Sequence, residues 1–204
     1  QAVAHMPVNV ADMGCDFYCF SGHKIFAPTG TGVLFGQQKL LEKFSPFKYG
    51  GGMVSSVELM SADWGALPLR LEAGTPNVAG VFGLGNAVEF ILEYGLETVS
   101  KKEAELCKYM SLKLDLIPGL LRYGRAEKAP IFSFNIEGVH HYDVASLLAE
   151  NSILVRSGHL CCQPLMNHLG ISGCVRASLC FYNNCSEIDH FIIVLKKIIS
   201  LLKK

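Results

Sequence analysis

From about residue 95 onward the sequence alternates short apolar strands with amphipathic helices, a pattern that a layered α/β or α+β domain satisfies. The stretch opens on a predicted helix over 97–116, with Val99, Leu106, Tyr109, Met110 and Leu114 apolar and charges between them. Pro118-Gly119 stops it. Strands are predicted over Ile131–Ile136, 153–156 and 175–181, and a helix that Asp143 helps to start over 142–151. The last element, 186–202, reads as an amphipathic helix with Ser186 as N-cap and Glu187 and Asp189 in its first turn.

Residues 1–94 hold too few strands for a sheet of their own and read as the end of a different unit, which divides the chain into 1–94 and 95–204. The aromatic-rich run 15–20, CDFYCF, predicts a buried strand that runs into Ser21-Gly22-His23-Lys24. A second strand is expected over Gly32–Gly36, a short helix over 37–43, and loop at Gly50-Gly51-Gly52. The polar turn from Glu72 to Asn77 leads into a helix over Val78–Tyr94, whose Gly and Ala content signals close packing and whose cap is Gly95.

Composition narrows the function classes. Of 204 residues 50% are hydrophobic, enough for a real core. Lys+Arg and Asp+Glu both total 18, so no electrostatic footprint for nucleic acid or an anionic membrane is present. No apolar run approaches the roughly 20 residues a bilayer requires, and no signal-peptide pattern opens the sequence. A soluble, cytoplasmic protein is expected (organellar in a eukaryotic source), with neither nucleic-acid nor membrane partners. The 8 cysteines lie in a chain with ample apolar residues, which favours reduced thiols. Without a CxxC pair, no metal site is expected.

Three motifs carry chemistry. A lysine delivered by a strand end into a glycine-rich turn, as Lys24 is, can be desolvated and form a Schiff base, with hydroxyl, imidazole and backbone N–H groups beside it to suit a phosphate. On physics alone a solvated surface lysine is the stronger reading. In Arg156-Ser157-Gly158-His159-Leu160-Cys161-Cys162 a cysteine sits in a Gly-containing loop near an arginine and a histidine, a setting that raises the thiolate fraction. Arg176 lies inside an apolar strand, where a guanidinium is costly unless it grips a carboxylate, of a ligand or of the protein itself. His140-His141 read as solvated or capping histidines, Cys162 as a small buried residue, and Cys15, Cys19, Cys174 and Cys180 as small core residues.

The segment 15–35, CDFYCFSGHKIFAPTGTGVLF, resembles the cofactor-lysine segment of the class V aminotransferases, and most closely that of the Suf-type (group II) cysteine desulfurases. Gly50-Gly51-Gly52-Met53, Glu72-Ala73-Gly74-Thr75-Pro76-Asn77, the Arg156–Cys161 run and Val175-Arg176-Ala177-Ser178 follow in the family's order. The resemblance implies the fold-type I pyridoxal-phosphate transferase architecture: the end of the large cofactor domain, then the small C-terminal α/β domain. It implies that Lys24 binds pyridoxal 5'-phosphate and later moves the substrate's α-proton. Ser21 and His23 resemble phosphate ligands. Thr75 matches a residue reaching the cofactor of a neighbouring subunit, hence a homodimer, and Gln1 one that bonds the ring oxygen. Arg176, with Arg156 as a weaker candidate, matches the site for the α-carboxylate of L-cysteine. Cys161 is similar to the cysteine that takes the sulfur as a persulfide. A sulfur-acceptor protein of the SufE/CsdE or SufU kind, feeding iron–sulfur cluster assembly, is the implied partner. Leu160 and Cys162 depart from the family pattern.

Family members are about twice as long, and the aspartate that pairs with the cofactor ring precedes the matching region. The chain by itself is therefore expected to be inactive and to bind the cofactor weakly. A selenocysteine lyase, another class V aminotransferase, or a non-enzymatic interaction fragment are the alternatives.

Overall fold

A computed structural model describes residues 1–124 and 129–203. They form two compact units, Gln1–Glu97 and Thr98–Lys204.

In the first unit β1 (Phe17–Ser21) pairs antiparallel with β2 (Gly32–Gly36), Phe17 opposite Gly36 and Ser21 opposite Gly32. β2 lies where the sequence predicts it. β1 starts two residues later than the predicted run (15 against 17) and is not buried. Phe17, Val33, Leu34 and Phe35 are all exposed, because a two-stranded ribbon cannot cover its own faces. For the same reason Cys19 is exposed and Cys15 half-buried, unlike the core residues expected.

α1 (Gln38–Leu41) is a shortened form of the predicted helix. A hairpin of β3 (Val54–Val57) and β4 (Ala62–Trp64) follows the glycine run. The sequence does not announce it, since Val-Ser-Ser-Val breaks the alternation of a half-buried strand. α2 (Val78–Tyr94) matches its predicted bounds. The Asn77 side chain accepts from the Gly80 N–H at 3.0 Å, and Gly95, at φ 89°, closes the other end. The glycines of α2 do allow close packing: a Cβ on Gly83 would lie 2.7 Å from Pro28. Ala4, Ile25, Ala27, Leu84, Ala87 and Ile91 form this unit's core.

The second unit is built on a four-stranded antiparallel sheet in the order β5-β6-β8-β7. Its strands are β5 (Leu120–Tyr123), β6 (Ile131–Ile136), β7 (Arg156–Gly158) and β8 (Cys174–Ser178). The helices are α3 (Leu96–Asp115), α4 (His141–Glu150), α5 (Gln163–Leu169) and α6 (Cys185–Leu202). Phe132, Phe134, Ile136, Val175 and Ala177 alternate onto one sheet face and share a core with Leu106, Met110 and Leu114 of α3, Val144 and Leu148 of α4, and Ile188 and Leu195 of α6. Each fully buried side chain of this kind is worth about 1.5–3 kcal/mol. The opposite face is polar. Across it the register sets Tyr123, Ser133, Arg176 and Arg156 in one row.

Several boundaries of this unit differ from expectation. β7 begins at Arg156, where the predicted strand ends, because Ile153 N–H still closes the α4 turn by donating to Leu148 O at 3.0 Å. β8 stops at Ser178: Leu179 N–H donates to Pro130 O and Cys180 N–H to the Asn183 side chain, which turns the chain out of the sheet. The cap of α6 is Asn184 rather than Ser186. Its side chain accepts from Glu187 N–H at 3.1 Å while the Glu187 carboxylate accepts from Asn184 N–H at 2.9 Å, a reciprocal capping box. His140 caps α4, its Nδ1 accepting from Tyr142 N–H, and Asp143 lies in the first turn. Among the described residues no helix is long and apolar enough to cross a membrane.

Candidate active site

The turn that follows β1 concentrates three polar side chains. Gly22 N–H donates to Thr31 O at 2.9 Å, and a side chain on Gly22 would collide with Thr31 Oγ1, so the turn tolerates only glycine there. Phe26, at φ 68°, closes the turn, and buried Ile25 and Ala27 anchor it. Ser21 is thereby placed at the strand end, with His23 and Lys24 exposed one and two residues beyond Gly22. None of these three side chains makes a hydrogen bond or ion pair among the described residues. A hydroxyl, an imidazole and an amine free for a ligand fit a phosphate-bearing aldehyde. The desolvated pocket expected for Lys24 is not supplied by this unit, since the turn lies at its surface and Lys24 is exposed. Thr75 is exposed in the turn before α2, and Gln1 is exposed with Nε2 3.4 Å from the His5 ring.

In the second unit the register brings Arg156 and Arg176 directly opposite each other on β7 and β8. Like charges in that relation repel. Arg176 Nε is buried without a hydrogen-bond partner, and neither guanidinium has a carboxylate partner among the described residues. On the same polar face Asn135 donates to Gly173 O and Tyr123 Oη, leaving its buried Oδ1 without a partner. Among the described residues, therefore, Arg176 forms no internal salt bridge. A fork of unmatched donors beside a second cation is able to receive a carboxylate.

β7 runs from Arg156 into the cysteine loop. Gly158 (φ 106°), Leu160 (φ 53°) and Cys161 (φ 59°) are all left-handed, and the last two are conformations that cost a side-chain-bearing residue about 1–2 kcal/mol each. The kink ends at Cys162, whose N–H donates to His159 O at 2.8 Å and which starts α5. Cys161 is exposed, as its proposed chemistry requires. Cys162 is exposed too, which corrects its reading as a buried residue: the left-handed turn at Cys161 lifts both side chains out of the domain.

His141, read from the sequence as solvated or capping, is half-buried and bonded to a neighbouring strand. Its Nδ1 lies 2.8 Å from Ser157 Oγ, and Nε2 sits where a Cβ on Gly173 would be, 2.6 Å away. This imidazole pins the start of α4 to β7 and to the approach to β8, between the two arginines' strands and the loop. Burial first, then the charge of His140, whose ring centroid lies 4.2 Å away, pushes its pKa below the usual histidine value, with Asp143 opposing. The adjacent His140-His141 pair was a visible signal, but the partner Ser157 lies 16 positions away.

These features match a known architecture. The aminotransferase class-V family model matches residues 1–191, and the chain belongs to that family. Among curated relatives, a cysteine desulfurase of Wigglesworthia glossinidia brevipalpis is 41% identical over 100% of this chain and 50% of its own length. One from Klebsiella pneumoniae (strain 342) is 42% identical over 99% of this chain, again 50% of its own. The crystal structure of the cysteine desulfurase CsdA from Escherichia coli superposes with a TM-score of 0.94 at 39% identity, covering 99% of this chain and 50% of that one. The α/β fold is thus that of the matching half of solved cysteine desulfurases. The chain spans about half the length of the relatives it matches.

Proposed function

We propose that this chain is the cofactor-lysine and sulfur-accepting half of a pyridoxal-phosphate-dependent cysteine desulfurase that converts L-cysteine to L-alanine. The observation that carries the reading is the buried, unpartnered Nε of Arg176 opposite Arg156, on the strand pair that feeds the exposed Cys161 loop. That arrangement offers a carboxylate receptor and a nucleophile within one short stretch of chain.

In this reading Ser21 and His23 hold the cofactor's phosphate, Lys24 is its covalent anchor, Gln1 contacts the ring, and Thr75 reaches the cofactor of the other subunit of a homodimer. The bound cofactor supplies an electron sink for the α-carbon. Arg176, aided by Arg156, clamps the substrate carboxylate. The Lys24 amine takes the α-proton. The Cys161 thiolate attacks the substrate's sulfur; the new S–S bond forms as the bond from the β-carbon breaks, and alanine leaves. The persulfide then passes to an acceptor of the SufE/CsdE or SufU kind for iron–sulfur cluster assembly. Because the relatives that carry out this chemistry are twice as long, the 204-residue chain by itself is inactive.

The test uses the full-length gene product with cofactor and L-cysteine. Cys161→Ser abolishes persulfide formation and sulfide release, and Arg176→Lys raises KM for L-cysteine by about 10–100-fold, the loss of a bidentate pair. Undiminished turnover in Cys161→Ser would rule the desulfurase out in favour of an aminotransferase.

A further inference from the structure

Resting on the desulfurase reading, we propose that Cys162 is a discharging thiol, which attacks a persulfide on Cys161 and releases its outer sulfur as hydrosulfide. Both thiols are exposed, and neither sulfur is engaged in a hydrogen bond among the described residues. Cys162 occupies the N-cap of α5 yet makes no side-chain cap bond, so its sulfur has no structural task there. The left-handed Cys161 and Cys162 (φ −133°, ψ 52°) together form the corner of the loop.

Displacement at sulfur requires nucleophile, centre and leaving group to lie nearly in line. For Cys162 attacking the outer sulfur, all three atoms would belong to one small ring closed by adjacent residues, which cannot hold that line. For attack on the inner sulfur, the Sγ of Cys161, the leaving sulfur lies outside the ring. The Cys161–Cys162 S–S bond therefore forms, the bond to the outer sulfur breaks, and that sulfur departs with the electron pair as hydrosulfide. The two cysteine sulfurs end as a disulfide, the sulfane sulfur is reduced to sulfide, and the thiol proton of Cys162 goes to water. Adjacent Cα atoms stand about 3.8 Å apart, closer than the roughly 4.4–6.8 Å a relaxed disulfide spans. The product is consequently strained and readily reopened by a small thiol or dithiol. The loop would thus release sulfide when no acceptor protein collects the persulfide, and a thiol reductant would reset it.

The experiment uses the full-length gene product with Cys19 and Cys185 replaced by serine, loaded by L-cysteine in one arm and by inorganic polysulfide in the other, without reductant. Acid quench, alkylation and peptide mass spectrometry report the state of residues 161 and 162. The expected result is a 161–162 disulfide with matching sulfide release, while Cys162→Ser keeps the Cys161 persulfide at least about tenfold longer. Equal persulfide lifetimes in the two proteins, or the outer sulfur found on Cys162, would overturn the proposal. Discharge in the polysulfide arm, with no persulfide, 161–162 disulfide or sulfide formed in the L-cysteine arm, would support it while sinking the desulfurase reading.

Discussion

At the scale of single residues, environment separates side chains of the same type. Burial first and then the Glu103 carboxylate push the Cys107 and Cys180 thiols up to about 11, and burial raises Cys174. Cys19, Cys161, Cys162 and Cys185 are exposed. At pH 8 a thiol with that pKa is about one part in a thousand thiolate. Iodoacetamide titration followed by peptide mapping is expected to label all four exposed cysteines before Cys107 or Cys180. His141 gives a pH dependence whose sign follows from its lowered pKa. The unfolded chain takes up a proton near the ordinary histidine value while the folded one resists, so stability is complete above that value and falls as pH drops through the folded pKa. Urea midpoints measured between pH 7.5 and 5 are expected to decline more in the wild type than in His141→Gln.

Among the elements, the decisive relation is that of β7 to β8. Each is short, and neither strand's bounds are those its apolar run suggests, yet their pairing sets Arg156 against Arg176. Arg176 was legible as a cation inside an apolar strand from its neighbours. That Arg156 faces it was not, because register depends on where the chain leaves each strand, and Ile153 and Leu179 are held by bonds outside the sheet. α6 makes the converse case. Its amphipathic stripe announced it, and only its cap moved, from Ser186 to Asn184. Asn184→Ala removes one half of the capping box and is expected to lower the unfolding free energy by about 1 kcal/mol, read from denaturant titration. Ser186→Ala is expected to change it by less than half as much.

For the whole molecule, the two units differ in how well they cover themselves. The chain exposes 13381 Å², about 2,000 Å² more than two compact units of this size would. Much of the exposed apolar surface belongs to residues 1–97, where Phe47, Leu59 and Met60 are each more than nine-tenths exposed. The second unit instead closes a continuous core around Phe134 and Leu195. The hydrophobic dye ANS is expected to fluoresce strongly with the 204-residue chain and weakly with the segment 96–204, which should unfold cooperatively by itself. Comparable dye binding by the two would show that the exposed surface of the first unit is not a dye site.

What the sequence by itself determined is what local chemistry specifies: the bounds of α2, the helix stripes of α3 and α6, and the strand runs of β2 and β6. These follow from periodicity and from a few adjacent side chains. Only the tertiary structure decided that Arg176 Nε has no partner among the described residues, that His141 reaches Ser157, that Lys24 is exposed within its unit, and that Cys162 stands in solvent beside Cys161. Each of these depends on which distant segments come into register and on the left-handed backbone of one loop, and neither leaves a periodic trace in the order of the residues.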